Sequence, residues 1–573
     1  MKTRNQVLEL ASFREFDLVV IGAGIVGAGI AQDAACRGLS VIVIDQDDFA
    51  SGTSSRTTKL VHGGLRYLEK FQFKLTSTLC QERALLEQLA PHLVQDFSFV
   101  LPLIKGSFIT QIKAALGLTL YDMLAFAQPG AQPHQRIGRK EVLEAAPVLD
   151  REDVIGGLKF HDAITDDSRL VLEVLKSASN NGALAINYLQ ATGFGIEQNK
   201  IKTVVCRDRI NGQEITLNCK ACVNATGVWI DHVTKLIDKH WDERVLPAKG
   251  IHIMVPPSAF ETNTALFLPA YDGRYIFVIP WQRAIMIGTT DSLYSGELNK
   301  PLPNADEVDY LLSAVNKYTG EHRLNRSDVT AAWAGLRPLV DPHKHAFNLN
   351  QATDSGNGKH ALSSDQITTA NISREHAIFT GPGGMIGVLG GKLTNYRLMA
   401  GEVLEQVFLK FPELIHPAAR TSRTQRMMLG GWLDRQDYLT QTAAIAAKAR
   451  KLSIEPATIA HLIATYGKDA QRILEVIDHE PQLSERICPD FPPIMAEIPH
   501  CVQAEMAVSL EDLLSRRVRL AQLHHQQCLA AAPKVARLMQ NILSWDDKRI
   551  TAELKALQNS LGSMEWEMNV VKR

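Results

Sequence analysis

The alternation of apolar and polar positions is clearest near the start of the chain. "DLVVIGAG" (17–24) is a short β-rich apolar run, "IVGAGIAQDAACRG" (25–38) has helical apolar spacing and ends at Gly38, and "LSVIVIDQ" (39–46) reads as a second buried strand. Strand, helix and strand in about 30 residues make a βαβ unit with parallel strands and a right-handed crossover. From there to about residue 150 the pattern is mainly helical, interrupted by the loop signals of "QPGAQPHQRIG" (128–138). Residues 186–227 then alternate as a meander with a turn at Asn211-Gly212, and "GIHIMVPP", "YIFVIPW" and "AIMIGTTD" (250–257, 275–281, 284–291) predict three further strands. After Gly401 alanine, leucine and charged residues recur at helical spacing to about residue 545, broken at "PDFPPIMAEIP", which predicts a separate helical domain. Residues 546–573 are expected to be a tail, the last part of it loosely held.

Composition narrows the class without naming a chemistry. With 45% apolar and 21% charged residues among 573, the chain is an ordinary globular protein of about three domains. The 61 basic and 62 acidic residues leave a net charge of −1, so nothing in the balance calls for nucleic acid. Eight scattered cysteines fit a reducing compartment. Cys219 and Cys222 alone have C-x-x-C spacing; they lie in a strand-like run with no second pair, so no metal site is expected. The N-terminus lacks the apolar core of a secretory signal, and no window of ~20 residues is free of charge, so no membrane-spanning helix is expected. "IKGSFITQIKAALGLTLYDMLAFAQP" (104–129) comes nearest; it reads as a packed amphipathic helix or as one lying in a membrane interface.

The first motif that carries chemistry is "GAGIVG", with Gly22, Gly24 and Gly27 in the G-x-G-x-x-G register between a strand and a helix. Gly22 permits the tight turn, Gly24 lets the backbone approach a pyrophosphate, and Gly27 lets helix and strand pack closely. The helix N-terminus offers amides and a positive dipole end to phosphates. Asp45 closes the second strand 18 residues after Gly27, where a carboxylate can accept from a ribose diol. A second nucleotide unit is missing: "GPGGMIG" (381–387) has Ile386 where the third glycine should stand. The one dinucleotide is therefore NAD as co-substrate or FAD reduced directly by an organic substrate.

"DLVVIGAGIVGAGIAQDAACRGLSVIVID", "GTSSRTTKLVHGGLRYLE", "VNATGVW", "GTTD", "GLRPLV" and "GGKLTNYR", in this order, resemble the FAD-dependent glycerol-3-phosphate dehydrogenases, and "VSLEDLLSRRVRL" resembles their C-terminal domain. The resemblance implies an α/β fold of D-amino-acid-oxidase-like architecture. A Rossmann-like FAD-binding lobe would occupy about 15–100, 150–245 and 365–400 within a 1–400 unit. A mostly antiparallel substrate lobe would take about 100–150 and 245–365, and an all-α domain would follow over 401–545. It implies oxidation of sn-glycerol 3-phosphate to dihydroxyacetone phosphate, FAD as cofactor, and electrons passed to membrane quinone. The location implied is cytoplasmic and peripheral, on the inner face of the cell membrane, which favours the interfacial reading of 104–127. A homodimer is compatible with it, although the residues themselves say nothing of oligomeric state.

The same resemblance assigns roles. Arginine forks grip phosphate best, and Arg66, Arg274, Arg337 and Arg374, with Tyr67 and Lys392, are the candidate substrate contacts. Each arginine has the alternative of a structural ion pair. For the proton, neutral imidazole can accept near physiological pH; His252 on the "GIHIMV" strand is favoured over His62, which is placed at the flavin. Arg66, Arg337 and Lys392 join His252 as the catalytic set. The cofactor is expected to meet Gly22, Ala23, Gly24, Ile25, Val26, Gly27, Asp45, Gln46, Ser54, Ser55, Lys59, His62, Gly63, Gly64, Gly227, Gly391, Leu393 and Thr394. Gly63 and Gly64 are read as letting the chain run along the flavin. The polar stretch between Val340 and Arg374 departs from the family pattern and puts the pocket's lid in doubt. Competing readings are an oxidase handing electrons to oxygen, an amine or amino-acid oxidase, and a non-catalytic FAD-binding sensor at a membrane surface.

Overall fold

The computed structural model describes residues 1–106, 108–125, 132–320, 323–342, 375–415 and 421–561, with the backbone alone of 66, 69, 70 and 108–114. Its first sheet grows from Glu15–Ile21 and Val41–Ile44, apolar runs buried on both faces, as central parallel strands must be. Its order is Ala377–Thr380, Ile386–Leu389, Glu214–Asn224, Glu15–Ile21, Val41–Ile44, Leu184–Ile186, parallel except at the first pair. The predicted meander, Leu189–Glu197, Lys200–Asp208 and Glu214–Asn224, joins this sheet as an antiparallel ladder, and Gly212 takes the positive φ of +79° its turn requires. Cys219 and Cys222 lie on Glu214–Asn224, and all eight cysteines are free and buried.

The second sheet has ten strands, antiparallel throughout except where Ala265–Pro269 meets Gln95–Ile104. Val245–Val255 is its spine, paired with Ala284–Gly288, Ala331–Val340 and Ser292–Leu293. The lobe boundaries drawn from sequence shift here. Gln95–Ile104, in the stretch read as mainly helical, is a ten-residue strand, because its "FSFVLPLI" is aromatic and β-branched. Leu60–Val61 and Val154–Ile164, placed in the FAD-binding lobe, pair in this second sheet.

The boundary at residue 400 moves as well. Helix Tyr396–Lys410 crosses it and packs its Met399, Val403 and Val407 into the first sheet's core. It lies against helix Ile25–Cys36 at Gly29, where a Cβ would stand 2.7 Å from the Tyr396 ring. The helical domain follows, with Arg435–Lys451, Pro456–Tyr466, Ala470–His479 and His525–Leu543 closing on one apolar core. The expected tail at 546 is instead helix Asp547–Leu561, which buries Leu557 in that core. Helix Phe108–Ala125 buries Leu118, Tyr121 and Ala125 but leaves Leu116 66% and Met123 70% exposed. Among the described residues no helix is long and apolar enough to cross a membrane.

Candidate active site

Helix Ile25–Cys36 begins without a side-chain cap, because Gly24 holds the N-cap position. Its first turn therefore keeps amide donors for an outside acceptor. Ser54 Oγ takes one of them, the Ile25 N–H, at 3.0 Å. Gly22, at φ +100°, lies so near Ala225 that a Cβ would stand 2.7 Å from its carbonyl oxygen. Gly27 stands behind this surface, its α-carbon closed on the Gly22 carbonyl. The Asp45 carboxylate accepts from the Ala23 N–H at 2.7 Å and the Asp47 N–H at 3.0 Å. Burial nevertheless pushes its pKa up to about 7. A cleft of about 160 Å³ opens here, walled by Gly22, Gly24, Ile25, Val26, Asp45, Gln46, Ser54, Gly227, Gly391 and Leu393. Bare glycine backbone, an uncapped helix start and a strand-end carboxylate fit the phosphates and ribose of a dinucleotide.

Thr53, Thr57, Pro338, Gly391, Lys392 and Leu393 are shared with a second cavity of about 390 Å³. Its wall also includes His62, Gly64, Tyr67, His252, Arg274, Arg337 and Thr394, contributed by the second sheet and by the segments 53–67 and 390–394. Arg337, on strand Ala331–Val340, donates to Thr289 Oγ1 at 3.1 Å, to the Thr290 carbonyl, and to Asp291 Oδ1 at 3.2 Å. Gly250 makes room for it: a Cβ there would come within 2.5 Å of the guanidinium. Arg274 is held more firmly, donating to Asp272 at 2.6 Å and stacking on Tyr310. The Lys392 ammonium sits 3.9 Å above the Tyr67 ring. The His62 N–H donates to Thr394 Oγ1, and burial lowers the His62 pKa to about 4.

His252 faces this cavity from strand Val245–Val255 and is only 2% exposed. Its ring stacks on Trp333, and Nε2 lies 2.9 Å from Thr58 Oγ1. Burial, then the charges of Lys59 and Arg337, lower its pKa to about 3, so the resting imidazole is neutral.

Five residues assigned to the cofactor line neither cavity: Ala23 and Gly27 belong to the glycine turn and the helix behind it, and the other three have other partners. Lys59 is fully enclosed, its ammonium 3.1 Å from Asp167 and over the rings of Trp281 and Trp333. Ser55 turns toward the C-terminal domain, its carbonyl accepting from Arg519 and Gln522. Gly63 gives its N–H to Tyr121 and Asp162, and a Cβ would meet Cys80 and Tyr121 at 2.4 Å. Its bareness thus serves packing, while Gly64, at φ +79°, reaches the cavity wall. The Arg66 side chain, Arg374 and most of the polar stretch after Val340 lie outside the described residues. Thr53, Thr57, Thr58, Thr289 and Asp291 were not singled out from sequence, though "GTSSRTTK" and "GTTD" contain them.

Residues 17–364 match the model of the FAD dependent oxidoreductase family, and 422–550 match that of the C-terminal domain of alpha-glycerophosphate oxidase. A glycerol-3-phosphate dehydrogenase of Synechocystis sp. is 33% identical, over 94% of this chain and 95% of its own. The mitochondrial glycerol-3-phosphate dehydrogenase of Bos taurus is 32% identical over 97% of this chain and 74% of its own. The crystal structure of the Bacillus halodurans glycerol-3-phosphate dehydrogenase complexed with FAD superposes with a TM-score of 0.77 at 28% identity, covering 98% of this chain and 97% of that one. With this fold, this cleft and identity running end to end, the chain belongs to the FAD-dependent glycerol-3-phosphate dehydrogenase family, and its cofactor is FAD.

Proposed function

We propose that the protein oxidises sn-glycerol 3-phosphate to dihydroxyacetone phosphate and passes the electrons to a quinone at a membrane surface. The observation that carries the substrate is the cavity with Arg337 and Lys392 on its wall that adjoins the nucleotide cleft. FAD, when bound, supplies the hydride acceptor. Gly22, Gly24, the first turn of helix Ile25–Cys36, Asp45 and Ser54 would hold its nucleotide part, and Gly391, Leu393 and Thr394 would adjoin its ring. Arg337 grips the phosphate dianion, with Arg274, Lys392 and Tyr67 closing the same wall. His252 takes the proton of the secondary alcohol; a dianion beside Arg337 offsets that guanidinium and restores basicity to the imidazole.

The quinone and membrane part has its own support. Phe71, Phe73, Leu116 and Met123 are exposed apolar side chains on the turn after Leu65–Lys70 and on helices Phe73–Leu89 and Phe108–Ala125. Leu68, Cys80, Tyr121 and Ala125 pack these elements together, and Tyr67 of the same turn lines the cavity. An apolar surface beside the reaction chamber suits a lipid-borne acceptor and contact with the inner face of the cell membrane.

Anaerobic mixing of the flavin-loaded protein with sn-glycerol 3-phosphate should bleach the visible flavin band, and persistence of the oxidised spectrum would reject the substrate. Turnover with a quinone analogue should exceed turnover with air, and stoichiometric peroxide would instead make the protein an oxidase. Leu116→Asp should weaken co-sedimentation with anionic vesicles while leaving turnover with a soluble acceptor intact.

A further inference from the structure

We propose that Thr58 is a catalytic residue whose hydroxyl relays the substrate's alcohol proton to Nε2 of His252. The proposal rests on the proposed reaction and deepens it, because the imidazole, 2% exposed, offers little of its own edge to the cavity it lines. One face of the ring is stacked on Trp333 at 5.4 Å and 14°. Its Cδ2–Nε2 edge lies under Gly288, where even a Cβ would come within 2.1 Å of Cδ2 and 2.7 Å of Nε2. Nδ1 is enclosed, with no hydrogen-bond partner among the described residues. Among the described residues the ring's one hydrogen-bond partner is Thr58 Oγ1, at 2.9 Å, and Thr58 lines the cavity.

The residues flanking Thr58 are fixed, which is what a relay needs. Thr57 donates both its N–H and its hydroxyl to Asp167 Oδ2, at 2.9 and 2.8 Å. The Lys59 N–H donates to Thr57 Oγ1 at 2.9 Å, and the Lys59 ammonium reaches Asp167 Oδ1. Arg519, from the C-terminal domain, ties the same carboxylate at 2.7 Å and the Ser55 carbonyl at 3.1 Å. With every neighbour anchored, the Thr58 hydroxyl is left to the histidine and the cavity.

A hydroxyl donates once and accepts twice, so Thr58 can give its hydrogen to Nε2 while accepting from a substrate hydroxyl. In the step, the substrate O–H bond breaks and its hydrogen joins Thr58 Oγ1. The former Thr58 hydrogen forms the Nε2–H bond, leaving imidazolium. The electron pair left on the substrate oxygen becomes the second C–O bond, and the carbon's hydrogen leaves with its pair to the FAD of the proposed reaction. For this to run, Nε2 must be bare at rest and Nδ1 protonated.

Thr58→Val keeps the shape and removes the hydroxyl, whereas Thr58→Ser keeps the hydroxyl. In stopped-flow reduction of the flavin-loaded protein by sn-glycerol 3-phosphate, Val should slow the flavin-bleaching rate constant about 100-fold. Ser should recover it to within a few-fold. Nitrogen NMR of histidine-labelled protein without substrate reads the tautomer apart from activity: Nδ1–H is expected in wild type, with the Nε2 signal displaced in the Val variant. Equal rates for Val and wild type, or an Nε2–H tautomer at rest, overturn the relay while wild-type bleaching keeps the substrate. A wild-type flavin that stays oxidised removes both. Equal flavin content and melting temperature in the two variants exclude misfolding as the cause.

Discussion

Two groups of arginines in this molecule do opposite work. Arg169, Arg516, Arg517 and Arg519 are buried at the base of the C-terminal domain. Each meets carboxylates at short range: Arg517 grips Asp48 at 2.7 and 2.9 Å, and Arg169 grips Glu505 at 2.7 and 2.6 Å. Arg516 reaches Asp48 and Asp512 at 2.6 Å, and Arg519 reaches Asp167 at 2.7 Å. Arg337, on a cavity wall, meets among the described residues hydroxyl and carbonyl partners at 3.1 to 3.4 Å and the Asp291 carboxylate at 3.2 Å. An arginine already matched to a carboxylate fork has little to offer a phosphate. One held by weaker contacts can reorganise its donors around a dianion at small cost.

The comparison breaks most visibly at Arg517. Replacing it by alanine leaves the buried Asp48 with Arg516 as its remaining cation, which should cost about 3 kcal/mol of stability. Urea unfolding of the flavin-loaded protein would report it, and a midpoint unchanged from wild type would mean the pair is dispensable. Because Asp48 follows the strand-end Asp45 closely, weakened flavin retention should accompany the loss. Arg337→Ala should act in the other direction, with little change in the unfolding midpoint. Loss of its charged hydrogen bonds should lower kcat/KM for sn-glycerol 3-phosphate by about 100-fold, or ~3 kcal/mol. An unchanged KM and kcat would place Arg337 with the structural group.

How much of this was legible beforehand follows the same division between local and distant causes. The βαβ start could be read because strand, glycine turn, helix and acidic strand end occupy one short stretch, and each obeys a local rule. The strand Gln95–Ile104 was hidden because its partners, Val154–Ile164 and Ala265–Pro269, are far along the chain. Lys59 looked like a cofactor contact because it lies between Ser54 and His62. Only the fold brings Asp167, Trp281 and Trp333 around its ammonium. The motif "SRRVRL" read as family resemblance alone, since Asp48 and Asp167 become its partners only when distant segments meet. Thr58 is silent for a subtler reason: a hydroxyl gives no signal in sequence until the base it touches is in place.

The smallest effect tests whether the two groups differ electrostatically as well as in geometry. Arg337 is among the charges that hold the His252 pKa down to about 3, after burial and Lys59, whereas no arginine of the C-terminal group is among its causes. Arg337→Gln should therefore raise the His252 pKa by less than about one unit, or ~1.4 kcal/mol, and Arg517→Lys should leave it in place. The linkage has a definite sign. With the folded pKa below the ordinary 6.5, the unfolded chain binds the extra proton first, so the contribution is complete above about pH 6.5 and is lost as pH falls toward 3. Raising the folded value narrows that window from its lower end, so stability in the Arg337→Gln protein should fall less steeply between pH 6.5 and 4 than in the Arg517→Lys protein. Histidine NMR titration gives the pKa, and unfolding midpoints across the same range give the slope. Parallel slopes with an unmoved His252 pKa would mean that solvent in the cavity screens Arg337, and that position alone, not charge, separates the two groups.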